Sequence, residues 1–289
     1  MDYRTLIDAP SLEAGLNIAA DGVKRMLLDC RFNLLQPDAG LALYRQGHIP
    51  GALYAHLDND LSGPITAQSG RHPLPDPKRL AMRLGEWGIC PDTQVVVYDD
   101  MGGAMAARAW WLLRWLGHER VAVLDGGFQA WVATEGAVSE EAATATDCAP
   151  YPYRFNADQV VSSEAVLANL QQPVFTLVDA RSAERFHGKQ EPIDPVAGHV
   201  PGALNRALSE NLTAEGLFKS AEQLRTEWLA LLDGTAPEAV VAMCGSGVTA
   251  CHLLLSLELA GLKGGRVYAG SWSEWIRDQQ RPVATEING

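Results

Sequence analysis

Ala239-Val240-Val241-Ala242-Met243-Cys244-Gly245-Ser246-Gly247-Val248-Thr249-Ala250-Cys251-His252-Leu253-Leu254-Leu255 reads as a buried strand, a tight loop and an apolar helix. A cysteine therefore stands where the strand gives way to the helix, among backbone N–H groups that the first helical turn leaves unbonded. Those amides and the positive end of the helix dipole both favour a thiolate, which makes Cys244 a candidate nucleophile. Gly245 and Gly247 suit a loop so short that its amides must turn inward, a geometry calling for positive backbone dihedrals that glycine tolerates cheaply. The plainer reading is a packed cysteine followed by a glycine turn. Packing alone, however, does not call for two glycines, Ser246 and Thr249 directly behind a thiol, whereas an anion nest does.

What the loop lacks separates the cysteine chemistries. A cysteine phosphatase grips a phosphoryl dianion with an arginine at the far end of its loop, and Ala250 stands there instead. A papain-like pair needs a histidine base beside the thiol, but His252 lies one turn into the helix and is expected to point away. Cys244 and Cys251 have no CxxC spacing and no second pair elsewhere, so no metal site is expected.

The chain also repeats itself at an offset of roughly 150 residues. Leu28-Asp29-Cys30-Arg31 answers Val178-Asp179-Ala180-Arg181, and Gly47-His48-Ile49-Pro50-Gly51-Ala52-Leu53 answers Gly198-His199-Val200-Pro201-Gly202-Ala203-Leu204. Val95-Val96-Val97-Tyr98-Asp99 matches Val240-Val241-Ala242-Met243-Cys244, and Leu124 to Trp131 matches Tyr268 to Trp275. Four blocks in the same order mean a duplicated domain. Asp99 takes the cysteine's position in the first copy, so thiol chemistry belongs to the second.

Together these blocks resemble a two-domain sulfurtransferase of the rhodanese superfamily, and the resemblance covers nearly the whole chain. It implies an α/β fold of two tandem rhodanese-like domains, each a small parallel sheet with helices on both faces. The first domain (1–140) would be non-catalytic, residues 141–157 a linker and residues 158–289 the catalytic domain. Within the superfamily the Cys244 loop is most like that of 3-mercaptopyruvate sulfurtransferases; thiosulfate-specific rhodaneses, close relatives, carry basic residues directly after the cysteine. The implied activity moves a sulfane sulfur from 3-mercaptopyruvate or thiosulfate, through a Cys244 persulfide, to cyanide, a thiol or a thioredoxin-like acceptor, without metal or organic cofactor. A thiosulfate-specific rhodanese is the alternative within the class. A sulfur-carrier or regulatory module that turns over no donor, and a cysteine phosphatase, are the alternatives outside it.

The resemblance also assigns residues. Cys244, Ser246 and Asp58 match the catalytic Cys, Ser, Asp arrangement of the mercaptopyruvate enzymes, in which a hydroxyl between thiol and carboxylate relays a proton. Asp60 is close enough to fill the acidic role equally well, and either carboxylate also suits a turn or helix cap. Arg185 corresponds to the arginine that binds the donor's carboxylate, although Glu184 and Glu191 offer it ordinary ion pairs. His72 matches a position near the substrate, and Gly245, Gly247, Val248 and Thr249 supply the amides of the cradle. A second arginine of the family is missing, because Glu191-Pro192-Ile193-Asp194 has Ile193 where that arginine is expected. Thiosulfate, a dianion, benefits from cationic loop residues that Gly245 and Ser246 do not provide, so 3-mercaptopyruvate is the expected donor.

Composition is consistent with this assignment. A chain of 289 residues accommodates two domains with their own cores, and 47% hydrophobic with 20% charged residues is ordinary for a globular protein. A formal net charge of -12 argues against non-specific nucleic-acid binding and against docking on anionic membranes. No signal peptide or membrane-spanning run is visible, and five cysteines without a disulfide-framework spacing fit a reducing cytoplasm. Met26 to Asp29 and Val95 to Tyr98 read as strands, Asp76 to Trp87 as an amphipathic helix with Leu80 and Leu84 on one face, and Met105 to Leu116 as a helix packed all round. Residues 136–153, rich in Ala, Thr, Glu and Pro, read as an exposed connector.

Overall fold

Strands and helices alternate twice along the chain, as the repeated sequence blocks predict. The structure, a computed structural model, describes residues 2–17 and 23–285. They fall into two units. The first takes Met1–Gly63, Pro75–Asn156 and Ala214–Phe218; the second takes Pro64–Leu74, Ala157–Thr213 and Lys219–Gly289. Each unit thus receives a short segment from the other half of the sequence.

In the first unit the elements are β1 (Leu6–Ile7), α1 (Ala9–Asn17), β2 (Arg25–Asp29), α2 (Ala39–Gln46), β3 (Leu53–Tyr54), α3 (Pro77–Glu86), β4 (Gln94–Tyr98), α4 (Ala106–Trp115), β5 (Val121–Leu124) and α5 (Gly127–Ala133). All strand pairs are parallel, in the order β1-β5-β4-β2-β3. Parallel neighbours require crossovers, and right-handed crossovers carry the helices onto both faces. The second unit holds α6 (Ser163–Asn169), β6 (Thr176–Asp179), α7 (Ala183–Phe186), β7 (Leu204–Asn205), α8 (Ala221–Leu232), β8 (Val240–Met243), α9 (Ala250–Leu259), β9 (Arg266–Val267) and α10 (Ser271–Trp275). Its parallel sheet runs β7-β6-β8-β9, with a single bridge from Val160 to Val267 where the first unit has β1.

Local chemistry explains the elements. Asp76 caps α3 by accepting the Arg79 N–H at 2.9 Å, proline opens the helix at a position where no N–H is needed, and Leu80 and Leu84 form the buried face. Nine of ten α4 residues are buried, which accounts for its apolar sequence. β4 is buried along its whole length and β8 likewise, as central parallel strands covered on both faces should be.

The duplicated motifs are duplicated devices. Arg31 forms a bidentate pair with Asp29 and donates to the Gly47 carbonyl at 2.6 Å; Arg181 does the same with Asp179 and the Gly198 carbonyl at 2.7 Å. Each buried charge is thereby paired and hydrogen-bonded, the condition under which burial is tolerated. Each arginine also lies over an aromatic ring, Phe128 or Trp272, at 4.3 and 4.7 Å from the ring centres.

Residues 141–157, read from sequence as a linker, run along the first unit. Cys148, Tyr151, Arg154 and Asn156 donate backbone bonds to Gly85, Ala81, Leu116 and Trp115, and the Tyr151 side chain is buried. No helix among the described residues is long and apolar enough to cross a membrane.

Candidate active site

β8 ends at Met243, and α9 begins at Ala250, so five residues make the turn behind Cys244. Two amides of that turn point at the sulfur: Gly247 N–H donates to Cys244 Sγ at 3.1 Å and Ser246 N–H at 3.4 Å. Among the described residues, the amide protons of Val248, Thr249 and Ala250 meet no acceptor. The nest read from sequence is therefore built, with donors to spare. Gly247 has φ +81°, and a Cβ there would collide with the Ala269 carbonyl oxygen, so glycine is obligatory on both counts. Gly245 departs from the expectation because its backbone is not left-handed. Its absent side chain makes room for charge instead: a Cβ would lie 3.0 Å from Arg71 Nη2 and 3.5 Å from Arg185 Nη2.

The cradle is braced from behind. The Cys244 N–H donates to Ser271 Oγ at 3.0 Å, while the Cys244 and Gly245 carbonyls accept from Trp272 and Ser273 at 3.0 and 2.9 Å. Ser271 holds a left-handed backbone, φ 54°, unusual for a residue with a side chain. Sequence reading missed this serine, although the repeat pairs it with Gly127, whose φ is +60°. Arg181 adds positive potential, its charge acting on the Cys244 sulfur. Cys244 retains only 2% of its surface, so a reactant that reaches it must be small.

Ser246 is buried, and its hydroxyl is hydrogen-bonded to His72 Nδ1 at 2.7 Å. His72 arrives on the Pro64–Leu74 segment of the second unit. The structure thus brings together Cys244, Ser246 and His72. Asp58 lies in the first unit, exposed on the turn after β3, where its N–H donates to His56 Nδ1 at 3.1 Å. Asp60 is committed locally, accepting the His56 N–H at 2.8 Å and pairing with Arg83 at 2.8 Å.

Arg185, on the short helix α7, does not stand free. It forms a bidentate pair with Glu191, Nη2 to Oε1 at 2.7 Å, and reaches Asp194 Oδ2 at 3.2 Å. Glu191 also accepts from Arg181 and from the amides of Ile193 and Asp194. Burial alone would raise the Glu191 carboxyl, but the bonds from Arg185 and the two amides outweigh it and hold it below the usual carboxylate range. Arg71, the residue before His72, completes the group by pairing with Asp194. Its side chain and that of Asp194 were not legible as site residues.

His252 is fully buried and hydrogen-bonded to Asn211 at 3.2 Å, so it takes a packing role, and Cys251 donates to the Gly247 carbonyl. No group of three or more His, Cys, Asp or Glu side chains among the described residues is arranged to hold a metal.

A cysteine at a strand end, held by the amides of a following helix on the second of two repeated parallel sheets, defines a class of thiol group-transfer proteins. The chain belongs to the rhodanese-like domain family, which matches residues 12–134 and 162–278, and it is a sulfurtransferase. It is 50% identical to a probable 3-mercaptopyruvate sulfurtransferase of Pseudomonas aeruginosa over 90% of this chain and 92% of the relative. It is 34% identical to the thiosulfate sulfurtransferase of Rattus norvegicus, over 99% and 96% of the two chains. The crystal structure of the 3-mercaptopyruvate enzyme SseA from Escherichia coli superposes with a TM-score of 0.78 at 30% identity, covering 94% of this chain and 99% of that one.

Proposed function

We propose that the protein transfers the sulfur of 3-mercaptopyruvate, by way of a persulfide on Cys244, to a small thiol or cyanide. The observation that carries this reading is the pair of amides on the Cys244 sulfur beside three amides without an acceptor. The first pair favours the thiolate; the others suit a second, outer sulfur bearing negative charge.

In the first step the Cys244 thiolate attacks the donor's sulfur. The new S–S bond forms as the C–S bond breaks, and its electron pair leaves on C3 as the enolate of pyruvate. That carbon must gain a proton. Ser246, hydrogen-bonded to His72, is the group we assign to deliver it, with Asp58 keeping the acidic role the family resemblance gives it. Arg185 takes the donor's carboxylate, for which a planar fork is suited. In the second step an acceptor thiolate attacks the outer sulfur, and Cys244 leaves as thiolate.

The lack of a cationic side chain at Gly245 and Ser246 favours the monoanionic mercaptopyruvate over thiosulfate, as does the half-identity to a relative of that name. Five cysteines, none of them in a disulfide, fit a reducing, cytoplasmic setting. Mass spectrometry after incubation with donor is expected to find one added sulfur atom, on Cys244, and steady-state turnover to favour mercaptopyruvate. A protein that gains the sulfur but passes it to no acceptor would be a carrier, and a preference for thiosulfate would reverse the donor assignment.

A further inference from the structure

Two half-buried thiols of the first unit, Cys90 and Cys148, hold their sulfurs 3.1 Å apart although 58 residues separate them in sequence. A disulfide bond is only about 1 Å shorter. Each backbone is pinned independently of the sulfurs. Cys90 opens a turn in which its N–H donates to Thr93 Oγ1 at 3.0 Å and its carbonyl accepts the Thr93 N–H at 3.0 Å. Cys148 donates its N–H to the Gly85 carbonyl at 3.0 Å, and a little further on the Tyr151 N–H donates to the Ala81 carbonyl at 2.9 Å. The two thiols therefore meet because the chain around them is fixed.

The end of α3 is shaped to receive the segment that carries Cys148. A Cβ on Gly85 would lie 2.8 Å from the Ala149 carbonyl oxygen, and one on Gly88 would lie 2.5 Å from that of Thr146. The connector's backbone thus rests directly on two glycines, an approach that any side chain there would block. Just upstream, Glu141, Ala142, Thr144, Thr146 and Asp147 are exposed, so a bond at Cys148 decides how readily this stretch opens. Lys24 stands beside the pair, its Nζ donating to the Gly88 carbonyl at 2.6 Å. Burial and the adjacent Cys90 push the Cys148 thiol up, with Lys24 pulling the other way. Cys148 therefore keeps its proton, and Cys90 is the sulfur placed to react first.

We propose that Cys90 and Cys148 are a redox-responsive dithiol that closes to a reversible disulfide by exchange with small-molecule disulfides, fastening the 141–157 segment to the end of α3. The Cys90 thiolate attacks one sulfur of the small disulfide RSSR, and RS⁻ leaves. Cys148 then gives up its proton and attacks the Cys90 sulfur of the mixed disulfide, and the second RS⁻ leaves. Two cysteine thiols are oxidised, one RSSR is reduced, and the two thiol protons end on two RSH. An excess of RSH runs the same steps backwards. Both cysteines belong to the first unit, so the pair works without Cys244, and Cys30 and Cys251 are too deeply buried to compete. A transient disulfide of this kind is the form expected where the surroundings are reducing.

The full-length protein, equilibrated over a series of reduced and oxidised glutathione ratios, digested without reductant and mapped by mass spectrometry, tests this directly. A Cys90–Cys148 cross-linked peptide is expected at the oxidising end, equally in the parent and in Cys244→Ser. Thermolysin is expected to cut the oxidised parent between residues 141 and 150 about tenfold more slowly than the reduced parent, because the open form becomes rarer. The urea midpoint of the first unit should rise by about 1 M on oxidation, since the new bond closes a long loop in the unfolded chain. Cys90→Ser and Cys148→Ser should each lose both differences and behave like the reduced parent. Glutathione mixed disulfides at Cys90 or Cys148 without the internal cross-link overturn the proposal, as does a cross-link that forms only when Cys244 is present. A cross-link that leaves cleavage and midpoint unchanged overturns the fastening role, and that comparison, made on two states of the parent, depends on no variant folding.

Discussion

Asp99 and Cys244 end equivalent strands and face equivalent loops, yet they use those loops differently. Asp99 spreads its two oxygens over four amides, those of Met101, Gly103, Met105 and Ala106, at 2.7 to 2.9 Å. Cys244 engages two. The first loop is also one residue longer, six residues separating Asp99 from Ala106 against five between Cys244 and Ala250. Both cradles are built for an anion. In the first, the chain's own carboxylate fills it; in the second, the sulfur leaves donors unclaimed. The two copies thus differ in the occupancy of a shared device.

Swapping or trimming the occupants gives the largest effects. Cys244→Ser is expected to lower sulfur transfer by at least about 1,000-fold with the melting temperature little changed, because a hydroxyl cannot carry a persulfide; retention of turnover in a donor assay would remove Cys244 as the nucleophile. Cys244→Asp, which rebuilds the first copy's arrangement in the second, should be equally inactive while unfolding no more easily than the parent. Asp99→Asn should leave transfer nearly intact but cost about 2 kcal/mol in urea unfolding, since charge-assisted bonds to four buried amides weaken. If turnover fell with it, the first cradle would be more than structural.

Smaller effects probe the braces. Ser271→Gly relieves a left-handed side-chain residue but strips the buried Cys244 N–H of its acceptor, so stability should hardly change while kcat falls about threefold to tenfold. Last, acid should act through His118 in the first unit, whose imidazole burial lowers from the ordinary 6.5 to about 4. The unfolded chain binds that proton first, so this stabilisation is complete above about pH 6.5 and is lost as pH falls toward about 4, by up to about 3 kcal/mol. Comparing urea midpoints at pH 7 and pH 5 for the parent and His118→Gln should show a flatter dependence in the variant; equal slopes would assign the acid sensitivity elsewhere.

How much of this was written in the sequence depends on distance along the chain. Strands β2 and β4 and helices α3 and α4 were legible to within a residue because their signals are local: short aliphatic runs, a proline-led cap and an apolar period. The cysteine loop was legible for the same reason. The duplication was legible because whole motifs recur. Arg71, Asp194 and Arg185 were not legible as a group, since nothing in a window around residue 71 announces a partner at 194. Gly245 was misread because sequence gives glycine's identity but not which of its two uses, freedom of rotation or absence of volume, a site exploits. Ser271 was missed because a serine at positive φ looks like any other serine until its counterpart Gly127 is seen in the same conformation.

The exchange of segments has a consequence for the molecule's history and handling. Cys244, at the end of the second unit's β8, stands beside Arg71 and His72, which the first half of the sequence supplies, and the first unit takes back Ala214–Phe218, where the Phe218 N–H is received by Asp125 at 2.9 Å. Cutting the polypeptide near residue 150 would leave the carboxy-terminal fragment its cysteine loop but take away the imidazole and the guanidinium that stand beside it. After duplication the halves became mutual donors of parts.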